Sequence, residues 1–429
     1  MKIIHVADPA SEAAQLRKAT IIQDSLLEYS KAIMRDVAQH GDPAVLNYTS
    51  KFDGARLDSL QVSEEEMKQA YAQVTKDEIM AVKLMKQRLV KSELTILKRL
   101  KGMVVSSNGV RIDRMVKPVT SVGCYIPGGG ARYPSTVVMC AVPAKVAGVK
   151  RIVALSPPRT DGTIDPLTLV AADICGVDEF YKVGGAQGIA ALAYGTQSIR
   201  PVSKIVGPGG MFVTAAKLVA SAKVSIDMVA GPTELLIYAD ETADSKLIAV
   251  DLISQAEHST DTVCGLVTIS DKLASEVQKH VESTVEKIIR SDIAKKSLEN
   301  NGFIVICSNE SSCIEFVNEF APEHLEIMCK YADAIAKKID SAGLVLVGQY
   351  APSSASDYSL GSNHVLPTLG FGKSRASLSV LDFVKIVNKV KVNKSGLAKV
   401  DRSIREITSA EGLLNHYEAV KARMSEEKE

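Results

Sequence analysis

"EFYKVGGAQGIAALAYGT", Glu179 to Thr196, holds two structural signals in one short run. Phe180, Tyr181 and Val183 make an apolar cluster of strand length, and Gly184 and Gly185 end it. From Ala186 to Tyr194 the residues suit a helix, and Gly195 stops them. A strand that breaks on glycine and turns at once into a helix is the unit of a parallel sheet, whose strands need helical crossovers. The unit recurs on both sides. "VGCYIP", "RIVALSPP" and "SKIVGPGG" are apolar runs ending in Gly or Pro, with helical stretches at Thr136 to Ala147, Pro166 to Cys175 and Phe212 to Ala222. A second series follows: "ELLIYAD", "VCGLVTIS", "GFIVICS", "HLEIMC" and "GLVLVGQ". The pattern occurs twice without a residue-level repeat. It predicts an α/β fold with parallel sheets covered on both faces.

Upstream of this alternation, residues 20 to 100 read as helical. Ile21, Ile22, Leu26, Tyr29, Ile33 and Val37 recur at helical spacing, and "HGDPAVLNYTSKFDG" supplies breaks around a short helix. Ser63 and Glu66 are placed as a capping box opening one long amphipathic stretch toward Leu97. From about Val380 the chain is basic and polar with one late helix. It has too few apolar positions for a core of its own, so it must pack on something.

The chain has 429 residues, too many for one ordinary core, so two or three domains are expected. Apolar content of 46% and charged content of 24% suit a globular protein. A net charge of +1 gives no electrostatic case for nucleic acid or an anionic membrane, and the absence of Trp argues against base-stacking platforms. No apolar run is long enough for a membrane span, and the N-terminus lacks the apolar stretch of a signal peptide. The seven cysteines are odd in number, scattered and mostly in apolar runs, with no CxxC pair. They read as reduced thiols in a cytoplasm rather than as disulfides or zinc ligands.

Three glycine stretches, "YIPGGGARYP", "VGGAQGIAAL" and "IVGPGGMF", each follow an expected strand and precede a helix, the place where open α/β sheets bind ligands. None matches GxGxxG: Tyr133 follows Gly128 and Gly130 where the third glycine would fall, and Phe212 follows Gly207 and Gly209. Any one of them is more simply a tight turn. Three on one sheet point toward a nucleotide or phosphate.

The histidines divide. His5, His40 and His280 sit in polar stretches and read as surface residues. His258 ends an apolar helix beside Gln255, three residues earlier and so on the same face. "FAPEHLEI" joins Glu323 to His324, "SSASDYSLGSNHVLPT" carries Asp357 and His364, and "SAEGLLNHYEAV" carries Glu411 and His416. Each has a plain structural explanation, such as a dipole-stabilised helix end, a turn or an exposed helix face. As a set they offer imidazoles, a carboxylate and an amide without thiols, which suits a catalytic zinc site with room for substrate.

Taken in order, "GCYIPGG", "PSTVVM", "VGGAQGIAALAYGT", "IVGPGG", "IDMVAGPTELLIYADE", "DLISQAEH", "APEHLEI", "SDYSLGSNHVLPT" and "EGLLNHYEA" resemble the histidinol dehydrogenase family over nearly the whole chain. The resemblance implies oxidation of L-histidinol to L-histidine through the aldehyde, with NAD used twice, by a zinc-containing homodimer whose C-terminal tail crosses to the partner. It implies Gln255, His258, Asp357 and His416 as metal ligands and Glu323 and His324 as the catalytic pair. Those four ligands and His324, with Thr233 and Glu411, become substrate contacts, and Tyr125 and Gln187 cofactor contacts. His324 would take the hydroxyl proton, and Glu323 would activate water in the second step. The implied division is an N-terminal arm (1–25) and a discontinuous catalytic, zinc-binding α/β domain (26–120 plus 235–375). An NAD-binding α/β domain (121–234) and an exchanged tail (376–429) complete it, with both α/β domains Rossmann-like. Two positions depart from the family pattern: Gly210 stands where Asn is usual, and Thr233 where Ser is usual. Without the resemblance, a zinc-dependent hydrolase and a two-domain binding protein without chemistry remain open.

Overall fold

The computed structural model describes residues 1–17, 24–100, 102–128 and 132–425. Ile21 and Ile22 of the first helical pattern, and Gly129 and Gly130 of the first glycine stretch, lie outside these. The strands of the described residues are β1 (Lys2–Val6), β2 (Met103–Ser107), β3 (Val110–Pro118), β4 (Ser121–Tyr125), β5 (Arg151–Ser156), β6 (Glu179–Lys182), β7 (Lys204–Val206), β8 (Ser225–Ile226), β9 (Glu234–Ala239), β10 (Val263–Thr268), β11 (Phe303–Cys307), β12 (His324–Met328), β13 (Leu344–Val347) and β14 (Val384–Val392).

They form two parallel sheets and one antiparallel sheet. The first runs β6-β5-β4-β7-β8, the second β1-β11-β10-β9-β12-β13, and the third β14-β3-β2. Every residue of β9, β11 and β12 is buried, as expected of strands covered on both faces. The crossover helices keep close to their expected limits, at Pro134–Ala147, Pro166–Cys175, Gly185–Tyr194 and Met211–Ala220.

Other segments differ from the sequence reading. The stretch from Ser63 toward Leu97 is two helices, Glu64–Ala72 and Lys76–Arg99. The Ser63–Glu66 capping box is present, and Thr75 with Glu78 builds a second one that restarts the chain. The segment before Arg17 is no free arm: β1 pairs with β11, and helix Pro9–Arg17 packs on helix Glu310–Phe320. Helix Asp24–His40 packs on Gly185–Tyr194 and Met211–Ala220, and Lys76–Arg99 packs on Pro134–Ala147. These helices therefore cover the first sheet, although the sequence division grouped them with the second. The tail carries β14, paired along its length with β3, then two helices, Lys394–Ala410 and Leu414–Ser425, instead of one. Among the described residues no helix is long and apolar enough to cross a membrane.

The two parallel sheets meet end to end. Pro127 beyond β4 and Gly207 beyond β7 share a cavity with Thr233 ahead of β9 and with Glu323 and His324 at the start of β12. The C-terminal edge of the first sheet thus faces the N-terminal edge of the second.

Candidate active site

The chain reaches Glu323 through an abrupt change of direction. Helix Glu310–Phe320 closes on Ala321 in the left-handed region (φ 47°), and Pro322 prevents any continuation. Glu323 then enters the sheet beside β9 and is held on several sides. Its Oε2 accepts from Thr233 Oγ1 at 2.6 Å and from the Glu234 backbone N–H at 2.7 Å. Its own N–H donates to Glu234 Oε2 at 3.2 Å, and its carbonyl accepts from Leu344 N at 2.9 Å. Thr233 Oγ1 also accepts from Gln255 Nε2 at 2.8 Å, so one hydroxyl joins the acid to the amide.

His324 is the next residue and is buried. Its Nδ1 lies 3.1 Å from the Glu234 carbonyl, which can only accept, so Nδ1 carries the proton. In the neutral ring Nε2 is then the unprotonated nitrogen. It sits 3.4 Å from Asp357 Oδ1, and neither atom has an aligned hydrogen-bond partner although both are buried. Burial pushes the His324 pKa down, but the carboxylates of Glu323 and Asp357 outweigh it and raise the value well above the ordinary imidazole range. Burial pushes Asp357 up, and His324 more than offsets it, with a net lowering.

Asp357 follows the short helix Ser353–Ser356, and its carbonyl holds His364 Nδ1 at 2.7 Å. His364 Nε2 in turn lies 3.4 Å from Thr136 Oγ1, so His364 braces the Asp357 loop against helix Pro134–Ala147 of the first sheet's crossovers. Burial holds the His364 pKa below its usual value.

Thr233, Gln255, His258, Glu323, His324 and Asp357 all line one cavity of about 790 Å³. Gln255 is buried in the last turn of helix Ser245–Ala256, and His258 stands just beyond it, exposed at the cavity. The cavity's opposite wall is the Gly207–Gly210 loop. Gly207 has φ 113°, and a Cβ there would lie 2.2 Å from the Tyr125 carbonyl, so only glycine fits. A buried ion pair clamps this loop: Lys217 Nζ lies 2.5 Å from Asp227 Oδ1 and donates to the Gly207 carbonyl at 2.8 Å, while Asp227 Oδ2 accepts from Gly207 N at 2.8 Å. Gly210 has an ordinary φ of −64°, nothing lies within 4 Å of an added Cβ, and helix Met211–Ala220 lacks a side-chain cap there.

Four expected site residues stand apart. Tyr125 and Gln187 are buried and do not line this cavity; the Tyr125 hydroxyl accepts from Gly185 N at 3.1 Å, and Gln187 Oε1 is buried without a partner. Glu411 and His416 are exposed on the tail, away from the cavity of their own chain.

Sequence reading overlooked two buried acids, Glu234 and Glu326, and the half-buried Asp251. Glu234 begins β9, Glu326 lies two residues beyond His324, and Asp251, on the helix that carries Gln255, faces Glu326 closely enough for its charge to push that carboxyl up. The signal was available: a lone carboxylate inside an apolar run is rare unless it has a partner.

The residues present fit a zinc ion. Gln255, His258 and Asp357 bring O and N donors without sulfur to one wall, and Asp357 Oδ1 is buried and unpartnered. Among the described residues no three His, Cys, Asp or Glu side chains gather as a metal site by themselves. The glycine wall, ending at an uncapped helix N-terminus, fits the phosphates of a dinucleotide.

A buried acid–imidazole pair facing a glycine-walled cavity between two parallel sheets equips an α/β enzyme for proton and group transfer. The sequence model described as histidinol dehydrogenase matches residues 16–424. Histidinol dehydrogenase of Methanocaldococcus jannaschii is 41% identical over 401 residues, covering 94% of this chain and 93% of the relative. That of Clostridium acetobutylicum is 43% identical over 398 residues, covering 93% and 92%. The crystal structure of histidinol dehydrogenase from Elizabethkingia anophelis superposes with a TM-score of 0.92 at 35% identity, covering 99% of this chain and 98% of that one. The chain belongs to the histidinol dehydrogenase family and is an oxidoreductase.

Proposed function

We propose that this enzyme oxidises L-histidinol to L-histidine through L-histidinaldehyde, in the closing steps of histidine biosynthesis, with zinc and NAD. The first step takes a hydride and a proton from the carbinol. The second adds water to the aldehyde and takes a second hydride, releasing the carboxylate. The observation that carries this reading is His324, which lines the cavity with Nδ1 fixed by the Glu234 carbonyl and Nε2 buried without a hydrogen-bond partner, 3.4 Å from Asp357 Oδ1. In its neutral tautomer, with Asp357 given over to the metal, His324 accepts the hydroxyl proton at Nε2. Glu323, fixed by Thr233 and the Glu234 N–H, takes a proton from water in the second step. Gln255, His258 and Asp357 would hold zinc with His416 of the partner subunit. When bound, zinc supplies a Lewis acid that orients the imidazole and amine of the substrate. Thr233 and His324, with Glu411 of the partner subunit, complete the substrate contacts, and Tyr125 and Gln187, buried behind the glycine loops, would serve the cofactor side in a Rossmann-like half of the molecule.

A homodimer with shared sites accounts for the tail. Within Leu414 to Met424 no residue is buried. Met103, Val104, Val105, Ile386, Val390, Val392, Ile407, Leu413 and Leu414 are all exposed, a surface that a partner subunit would cover. Seven unpaired cysteines, six of them buried, fit a cytoplasmic setting.

The test is absorbance of reduced nicotinamide with purified protein, histidinol and NAD. The expected result is two reduced cofactors per histidinol, lost when a strong chelator strips the metal. No reduction would sink the assignment. Hydrolysis without redox chemistry would favour a zinc hydrolase, and binding without turnover a binding protein.

A further inference from the structure

We propose that Arg17 and Glu234 are a positioning pair that fixes Glu323 for its work on water, an inference that rests on the assignment of Glu323 to the aldehyde step. Glu234 is the first residue of β9 and its side chain is only 2% exposed. A carboxylate so deep needs a cation and donors. Arg17 supplies the cation: its Nη1 pairs with Glu234 Oε1, which also accepts from Leu369 N at 2.9 Å. The other oxygen, Oε2, accepts from the backbone N–H of Glu323. The side chain of Glu234 therefore joins Arg17 to the peptide that carries the acid.

Arg17 grips the approach to Glu323 as well. Its Nη2 donates to the Phe320 carbonyl and reaches the Ala321 carbonyl at 3.4 Å, and its guanidinium lies 3.8 Å over the Phe320 ring. Those carbonyls belong to the helix end and to the left-handed residue just before Pro322. One arginine thus ties the turn before Glu323 to the carboxylate that binds Glu323. None of these contacts reaches Gln255, His258 or Asp357, and the Glu234 groups touching His324 and Glu323 Oε2 are backbone. Loss of the side-chain pair should therefore loosen Glu323 while leaving metal and base in place.

The experiment is a cycle between Arg17→Met and Glu323→Gln, read as separate rates with histidinol and with histidinaldehyde, alongside zinc content and thermal unfolding. Arg17→Met should lower aldehyde oxidation roughly tenfold or more and alcohol oxidation far less, with zinc retained. Arg17→Lys should recover much of the loss, because it keeps the charge. In the Glu323→Gln background, Arg17→Met should add no further loss on the aldehyde. Glu234→Gln replaces Arg17→Met in the cycle if the latter fails to fold. Equal losses on both substrates, or additive losses in the double variant, would overturn the pair. A Glu323→Gln enzyme with equal losses on both substrates would instead overturn the role of Glu323 itself.

Discussion

Thr233→Val replaces one hydroxyl by a methyl of nearly the same shape and removes two contacts at once. The hydroxyl donates to Glu323 Oε2 at 2.6 Å and accepts from Gln255 Nε2 at 2.8 Å. A hydrogen bond to a charged group is worth about 1.5–3 kcal/mol, and the stranded Gln255 amide adds about 1 kcal/mol. Glu323 Oε2 keeps the Glu234 N–H at 2.7 Å, so part of the support survives. The net loss of transition-state stabilisation should be about 2–3 kcal/mol, or roughly 30- to 150-fold in kcat/KM for the aldehyde. Thr233→Ser keeps the hydroxyl and should stay within about threefold of wild type. Both variants are assayed by NADH formation from histidinaldehyde and histidinol, with zinc measured on the same samples. A folded, zinc-loaded Thr233→Val enzyme within threefold of wild type would show that the hydroxyl link does no catalytic work, and the reasoning would fail.

Gly210→Asn should tighten NAD binding by about 2- to 10-fold and add a few tenths of a kcal/mol of helix capping, because the backbone is ordinary and the space is open. Unchanged or weaker NAD binding by titration would show a loop adapted to glycine. Mixing inactive His258→Ala with inactive His416→Ala should restore roughly a quarter of wild-type activity after subunit exchange, since half the dimers are mixed and each gains one intact site. A tail that serves its own chain would restore none. Burial pushes the Glu93 pKa up to about 7, well above the ordinary glutamate range, while its Oε2 accepts from Val380 N at 2.6 Å. A raised carboxylate pKa makes stability fall as pH rises from the unfolded value to the folded one. Glu93→Gln should therefore flatten that fall and stabilise the protein by up to about 3 kcal/mol at pH 8, read from denaturant midpoints against pH. A variant with the wild-type slope would refute the sign.

The sequence by itself determined the α/β alternation, because a strand buried on both faces must be a continuous apolar run and its crossover must start and stop with Gly, Pro or a cap. The runs around Ile152, Tyr181, Leu236 and Ile304 needed no tertiary information for that reason. It also marked Glu323, His324, Gln255, His258 and Asp357, since polar and titratable side chains at the ends of apolar elements are conspicuous. Three things were decided only in the fold. Strand β14, "VKIVNKVKV", mixes three lysines and an asparagine among its apolar residues and stays largely exposed, so its pairing with β3, distant in sequence, is not written in any local pattern. Residues 2–17 and the helices from Asp24 to Arg99 took opposite sheets, because amphipathic faces carry no address for the surface that will cover them. The third was the placing of the candidate site residues Thr233, Glu323 and His324 at the N-terminal ends of β9 and β12. A strand reads the same in sequence whichever of its ends meets another domain, and only the end-to-end meeting of two sheets brought Glu323 and His324 opposite the Gly207 loop.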